Sequence, residues 1–207
     1  MFSDGVPETR LGKDSALDSC PVCLAANVQS RNRGDGETRT TTKPGQGLSL
    51  DFSFAGQHSK NATNPEQMRI NDCMGVHGEM CYLLLHNHAT ERLDGACRQS
   101  KAPPIAWLKK SLTKNVKDDA KDRHVFMDQG GESHRSKAIR DLFEKEFGYE
   151  MRVTGTGAHH QNGLVERANQ TMDKAIRAMR IGAGLPVKFW PYAFRHFLRI
   201  KNSALPR

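Results

Sequence analysis

A segment of strict alternation, residues 48–54, constrains the fold of this chain most. Its sequence is Leu-Ser-Leu-Asp-Phe-Ser-Phe, with apolar side chains at every second position and Asp51 among the polar ones. A period of two predicts a β-strand with one apolar face. Because aspartate is disfavoured in the middle of a strand, the carboxyl group of Asp51 needs a partner or a metal ion. The segment therefore predicts a strand that carries a functional acid.

The rest of the chain predicts strands followed by strands that alternate with helices. We predict further strands within 78–88, 91–99, 124–128 and 149–154, and helices over 103–115, 133–147, 163–180 and 186–201. Polar, aperiodic residues at 56–72 and the glycine- and histidine-containing residues 155–162 predict loops. This order of elements favours a mixed α/β sheet with helices packed on it.

Length and composition predict one ordinary domain preceded by a tail. The chain has 207 residues, of which 37% are hydrophobic, enough for one core. We interpret residues 1–46 as a disordered lead-in with a basic linker, and residues 47–207 as the folded domain. The first 19 residues lack the apolar centre of a signal peptide, and the longest apolar run, 81–85, is too short to span a membrane. Five cysteines without a secretory signal predict reduced thiols inside the cell.

The chain is basic, with a formal net charge of +8 and a pI near 9.4. A positive balance of this size favours an anionic partner, most often nucleic acid. The alternative on charge alone is a soluble protein with a solvated basic surface.

Two more acids stand at the ends of predicted elements. Asp128 ends the strand 124–128, and Glu166 lies in the first turn of the helix from 163. Each has an ordinary structural interpretation, Asp128 as a turn former before glycines and Glu166 as an acid stabilised by a helix N-terminus. Together with Asp51 they predict a site for Mg²⁺ or Mn²⁺, which prefer hard oxygen ligands. Such a site suits hydrolysis or transfer of a phosphodiester.

These residues resemble the catalytic cores of retroviral and retrotransposon integrases, especially the copia-type group. Asp51, Asp128 and Glu166 match the Asp, Asp, Glu triad of the family, and positions 129–165 give the last two acids a separation close to the family pattern. The stretch 161–169, Gln-Asn-Gly-Leu-Val-Glu-Arg-Ala-Asn, is similar to the copia-type sequence around the catalytic Glu. Residues 189–193, Phe-Trp-Pro-Tyr-Ala, are similar to the helix that follows the core.

The resemblance implies a fold, a reaction and a set of partners. The fold is RNase H-like, a five-stranded mixed sheet flanked by helices. The reaction is 3′-end processing and strand transfer of element DNA into target DNA, with the triad holding Mg²⁺ or Mn²⁺. The partners are element ends and target DNA, together with further copies of the chain in a homo-oligomer. The implied location is the nucleus, with a stage in a cytoplasmic particle.

The resemblance also implies contacts to DNA. Asn162 and Gly163 would belong to the flexible active-site loop, and Asn169 to the DNA-facing side of the catalytic helix. Lys174 and Arg177 would contact phosphates on that helix; their alternative interpretation is an ordinary solvated helix face.

Cys20 and Cys23 have half of the spacing of a zinc site. Integrases carry an amino-terminal His-His-Cys-Cys zinc module, and this pair is similar to its second half. No histidine precedes Cys20, and two thiolates alone cannot close a tetrahedral site. We therefore expect the chain to be truncated, with Zn²⁺ bound only if missing histidines complete the site.

Two other functions stay open at this stage. One is a degenerate or domesticated integrase remnant that binds DNA without catalysis; the intact triad argues against it and the missing flanks argue for it. The other is a different RNase H-like nuclease that acts on branched or hybrid nucleic acid. The stretch 161–169 argues against that nuclease.

Overall fold

Five strands form one mixed sheet with helices on both faces, within the residues that the computed structural model describes: 21–22, 43–54, 74–116, 122–128, 135–154 and 159–204. The strands are β1 Gly47–Phe54, β2 Cys81–Asn87, β3 Leu93–Arg98, β4 His124–Asp128 and β5 Glu150–Thr154. Their order across the sheet is β3-β2-β1-β4-β5. The pairs β1–β2 and β2–β3 are antiparallel, whereas β1–β4 and β4–β5 are parallel. This arrangement confirms the expected RNase H-like sheet.

Four helices whose bounds fall within the described residues cover the sheet. They are α1 Ile105–Asn115, α2 Lys137–Arg140, α3 His159–Gly182 and α4 Trp190–Ser203. Six π-helical residues, Asp141–Glu146, continue α2, and one 3₁₀ turn, Val187–Phe189, leads into α4. No helix in the described part of the chain is long and apolar enough to cross a membrane.

The period of two along β1 divides the core between the two faces of the sheet. Leu48 and Leu50 point to the side of α1 and α2, where they are almost fully buried. The partners of this cluster on the neighbouring strands and helices are Leu83, Leu85, Leu108, Leu112, Val125, Met127, Ile139, Leu142, Phe143 and Tyr149. The alternation read from the sequence therefore forms a continuous apolar layer.

The other face of the sheet packs against α3 and α4. Its apolar cluster comprises Tyr82, Leu84, Leu93, Val165, Met172, Ile176, Trp190, Phe194 and Leu198. Gly95 in β3 permits the close approach of α4, because a Cβ atom at this position would lie 2.5 Å from the Phe194 ring. Both faces of the sheet are thus covered, and β1 lies at its centre.

Two helix starts differ from the sequence-based prediction. The structure begins α3 at His159 rather than at Gly163, so Asn162 and Gly163 lie within the helix and not in the predicted loop. Glycine is typical of loops, which is why the local sequence predicts one at Gly163. A glycine inside a helix lowers helix stability only by about 1 kcal/mol relative to alanine, so the structure can accommodate it there. Helix α2 begins after Ser136, whose hydroxyl group accepts a hydrogen bond from the backbone N–H of Ile139.

The remaining predictions on the first part of the chain fall outside the described residues. These include the lead-in, with Cys20 and Cys23, and the predicted loop 56–72. The thiols of Cys81 and Cys97 are free, and burial raises the pKa of Cys97 to about 12. These two thiols are therefore packing groups rather than nucleophiles.

Candidate active site

Asp51 lies on the central strand and faces α3. Because side chains alternate along a strand, Asp51 shares its face with Ser49 and Ser53, opposite to the leucines of the apolar layer. Hydrogen-bonded neighbours flank β1 on both sides, with Asp51 opposite Leu84 of β2. The sheet therefore holds this carboxyl group at a fixed, partly buried position.

Asp128 lies next to Asp51 on the neighbouring parallel strand. Leu50 of β1 pairs with Met127 of β4, so the next residue of each strand, Asp51 and Asp128, projects from the same face of the sheet. Adjacent strands are about 4.8 Å apart. Asp128 is exposed at the carboxyl end of its strand, whereas Asp51 is half-buried. The structure thus brings two of the three predicted acids together.

The electrostatics of Asp51 reflect this neighbourhood. Burial, and after it the negative charge of Asp128, raise the pKa of Asp51 to about 6. Hydrogen bonds from the Phe52 backbone and from the Asn169 side chain oppose the rise, as does the positive charge of Lys101. A cation placed between the two carboxylates would relieve both the burial cost and the repulsion.

Asn169 contacts Asp51 directly. Its side-chain Nδ2 donates a hydrogen bond to Oδ2 of Asp51 at 2.6 Å, and the residue is only 6% exposed. Its Oδ1 is buried and accepts no hydrogen bond within the described residues. The resemblance placed Asn169 on the DNA-facing side of α3; the structure buries it against Asp51, and its contact with DNA stays a prediction. Helix α3 packs over β1 and β2, so the turn at 169 faces the strand.

Glu166 is exposed on α3, one turn before Asn169. Residues three apart on a helix are neighbours on its surface, so Glu166 lies one turn from the residue that touches Asp51. Among the described residues, however, no three His, Cys, Asp or Glu side chains are arranged to hold a metal ion. The structure therefore joins Asp51 and Asp128 and leaves Glu166 at the solvent side of the helix.

The other predicted contact residues lie further along α3. Lys174 and Arg177 are half-buried, two and three turns beyond Glu166. Asn162 and Gly163 lie in the first turns of the helix. All four share one helix with Glu166 and Asn169. The sequence predicted this for Lys174 and Arg177, whereas it placed Asn162 and Gly163 in the active-site loop.

The sequence analysis missed two parts of this site. Lys101 precedes α1 and places its ammonium 4.7 Å from the centre of the Phe54 ring, within electrostatic reach of Asp51. Tyr82 of β2 is fully buried and donates a hydrogen bond from its hydroxyl group to Oδ1 of Asp173 at 2.9 Å. Both contacts join segments far apart in sequence, and no local pattern indicates them.

Comparisons with known proteins give a likeness of structure only. No protein-family model matches the chain, and no curated protein matches it. Solved structures similar to it include the catalytic core domain of the HTLV-2 integrase in complex with magnesium, in a trimeric form. That structure shares 13% of aligned residues, covers 75% of this chain and 84% of its own, and gives a TM-score of 0.47.

Proposed function

We propose that this chain is the catalytic core of an integrase, a metal-dependent polynucleotidyl transferase that cuts and joins DNA strands. The observation that carries the proposal is the pair Asp51 and Asp128. Two carboxylates project from one face of adjacent strands, and Asp51 has a pKa of about 6 because it is buried beside the other acid. A paired, partly desolvated set of acids in the middle of a sheet is costly for folding and suits a bound cation.

The residues fit Mg²⁺ or Mn²⁺, since their donor atoms are carboxylate oxygens. Asp51 and Asp128 would hold the metal, with Glu166 as the third acid when the first turns of α3 approach the strands. The bound metal would activate the attacking oxygen and stabilise the leaving oxygen of a phosphodiester. Asn169 would orient Asp51 through its amide, and Lys174 and Arg177 would contact DNA phosphates along α3.

We propose the kind of genetic element and the DNA substrates from the sequence resemblance. The stretch 161–169 supports a copia-type retrotransposon as the source, with element ends and target DNA as substrates. The net charge of +8 supports a polyanionic partner. By the same resemblance, we propose a homo-oligomer that acts in the nucleus after a stage in a cytoplasmic particle.

A second candidate function is a DNA-binding remnant without catalysis. The observation that favours it is the solvent-facing position of Glu166 and the absence, among described residues, of a three-acid cluster. Such a remnant would keep the fold and the basic surface but would not hold the metal.

Disintegration, the reversal of strand transfer on a branched DNA substrate, tests the proposal. With Mn²⁺ or Mg²⁺ we expect product from the wild-type chain and none from Asp128→Asn or Glu166→Gln, because each variant removes one acid of the metal site. Glu144→Gln is the matched control, since it neutralises an exposed acid of the π-helical segment after α2 and should leave product formation unchanged.

The outcomes separate the two candidates. Activity that persists in Glu166→Gln contradicts the triad. A folded wild-type chain that binds the branched DNA and forms no product with either metal supports the remnant.

A further inference from the structure

Two histidine rings meet at the end of β2, on the sheet face that also carries Asp51. His86 pairs with Ser49 in the ladder between β1 and β2. His88 lies two positions further along, where its backbone N–H donates a hydrogen bond to the carbonyl of Gly47. Because side chains alternate along a strand, both imidazoles project from the face of Ser49 and Asp51. Their ring centres are 5.6 Å apart, so the strand presents the two histidines as a pair.

This histidine pair is separate from the carboxylate pair. Leu84 is the residue opposite Asp51, so His86 lies two residues beyond it, about 6.6 Å along the strand. Strand β2 is antiparallel to β1, and its end therefore lies near the amino ends of β1 and β4. Asp128 stands at the other end of β4. The two pairs share a face of the sheet but no ligand.

The distance between the two rings suits a shared metal ion. An imidazole nitrogen binds Zn²⁺ at about 2.0–2.1 Å, which puts the ring centre about 3.2 Å from the ion. Two rings at the tetrahedral angle then have centres about 5.2 Å apart, close to the 5.6 Å between His86 and His88. His124 is 6.4 Å from His88, which would need both nitrogens on one straight line through the ion. The pair can therefore hold the ion without a third residue, in agreement with the lack of a three-residue metal cluster among the described residues.

Ser49 orients one of the two rings. Its side chain is fully buried, and its Oγ lies 2.7 Å from Nε2 of His88. When Nε2 carries the proton, it donates to this oxygen, and Nδ1 then has the lone pair that a metal ion requires. Histidine ligands almost always donate their other N–H to such a partner, which sets the tautomer and the orientation of the ring. The contact with Ser49 therefore prepares His88 as a ligand.

The alternative role of these histidines is aromatic packing. Phe126 of β4 stacks on His88, with ring centres 5.7 Å apart and an angle of 19° between the planes. Arg152 of β5 lies 6.0 Å from the centre of the same Phe126 ring and is paired with Glu150 at 2.7 Å, so its charge is compensated. Packing alone would favour an apolar side chain at position 86, because His86 is only 7% exposed and burial desolvates its polar nitrogens. A metal ion gives those nitrogens a function.

We propose that His86 and His88 bind a divalent transition-metal ion of the class that prefers imidazole, represented by Zn²⁺, with water completing its coordination. Nitrogen ligands suit Zn²⁺, Ni²⁺ and Cu²⁺, whereas Mg²⁺ prefers oxygen. The pair is thus a second metal site, and its selectivity differs from that of the carboxylates. Because the sheet holds both rings in place, the ion binds the folded chain and stabilises it. This site does not depend on the proposed reaction.

Competition with a chromophoric chelator measures Zn²⁺ binding to the full chain without a histidine tag. Excess Mg²⁺ occupies the carboxylates, and Cys20→Ser/Cys23→Ser in every sample removes the thiol pair. In this background we expect His86→Gln/His88→Gln to bind one Zn²⁺ fewer per chain. Ser49→Ala should weaken the affinity of that ion roughly 10- to 100-fold, because it removes the partner of a ligand.

The matched control is His77→Gln/His196→Gln. It also removes two imidazoles, but both are exposed and lie outside the pair. We expect this variant to bind as many Zn²⁺ ions as the background, with the same affinity. Equal losses in the two double variants would show that any exposed histidine binds the ion, and the proposal would be wrong.

Paramagnetic Cu²⁺ gives a second readout in which every histidine is kept, so the test stays valid if His86→Gln prevents folding. Below one equivalent, Cu²⁺ should broaden the ring NMR signals of His86 and His88 before those of His77 and His196. Signals that broaden together, or first at the exposed rings, would overturn the proposal. A folded His86→Gln/His88→Gln chain with unchanged Zn²⁺ binding would do the same and would leave the pair as packing partners of Phe126.

Discussion

The two faces of the sheet differ in the polarity of the side chains that β1 supplies to them. Beneath α1 and α2, its leucines join a layer of aliphatic and aromatic groups. Beneath α3 and α4, the same strand presents Ser49, Asp51 and Ser53. Asn169 of α3 donates a hydrogen bond to the carboxylate of Asp51. The apolar face secures the fold, and the mixed face holds polar groups at a cost.

That cost is visible in the hydrogen bonds of the mixed face. Ser49 is fully buried and its hydroxyl group lies 2.7 Å from Nε2 of His88. Tyr82, which is fully buried, donates a hydrogen bond to the half-buried Asp173. Buried polar groups are tolerable only when they have partners, and Asn169 still has a buried oxygen without one in the described structure. The comparison teaches that β1 contributes only apolar groups to one side of the sheet, whereas on the other side its polar groups, including the proposed metal ligand Asp51, lie beside a second apolar cluster.

The largest effect is expected on the apolar face. Phe143 is fully buried and packs edge-to-face with Tyr149, with ring centres 5.6 Å apart. Phe143→Ala should lower the free energy of unfolding by about 3–5 kcal/mol, because it removes a buried ring and leaves a cavity. Urea denaturation measures the loss. A loss below about 1 kcal/mol would show that this face does not carry the stability.

The next effect has the opposite sign and comes from the mixed face. In metal-free protein at pH 7, Asp51→Asn should raise the free energy of unfolding by about 1–3 kcal/mol while it abolishes disintegration. The pKa of Asp51 is about 6 in the folded chain, above its usual 3.8. Between these pH values the folded state therefore binds more protons than the unfolded state. Stability of the wild type therefore falls as pH rises from about 4 to about 6.

The pH dependence supplies the control for this variant. Near pH 4 the wild-type carboxyl group is protonated in the folded state, so the difference between wild type and Asp51→Asn should shrink towards zero. Denaturation curves at the two pH values measure it. If Asp51→Asn were less stable than the wild type at pH 7, the charged carboxylate at position 51 would not be costly for folding, and the prediction would be wrong.

The smallest effect compares two buried tyrosines, one on each face. Tyr82 donates its hydroxyl hydrogen to the carboxylate of Asp173, and Tyr149 donates to the backbone carbonyl of Gly45. A hydrogen bond to a charged group contributes about 1.5–3 kcal/mol and one to a neutral group about 0.5–1.5 kcal/mol. Tyr82→Phe should therefore destabilise more than Tyr149→Phe in thermal denaturation. Equal losses would mean that the charge of Asp173 adds nothing.

Most of the fold could be predicted from the sequence because its elements are strongly patterned. The strands 124–128 and 48–54 agree with β4 and β1 within a residue or so, since alternation and short apolar runs are local signals. The predicted start of α3 was wrong, because Asn162 and Gly163 are residues typical of loops, whereas the structure has them in the helix. Helix boundaries depend on tertiary context that a local pattern lacks.

The site was less predictable than the fold. The sequence placed Asp51 and Asp128 on strands, and the pairing of β1 with β4 brings them together. Whether Asn169 faces the sheet or the solvent depends on how α3 packs over β1. The position of Glu166 relative to the aspartates depends on the same packing. A groove lined by Arg92, Lys110, Lys114 and Arg199 had no local signal in the sequence, because these cations come from α1, α4 and the turn before β3. Only the folded chain makes them neighbours.

The burial of Asp51 has a consequence for how this sequence would change over generations. A mutation that neutralises this acid should give a more stable domain, so selection for folding alone would favour its loss. A gene freed from any need for the carboxylate would drift away from aspartate at position 51 sooner than from most core residues. Under the proposed function, selection for the metal site keeps the aspartate, and a set of diverging copies would show the acid disappearing first in lineages that had given up that task.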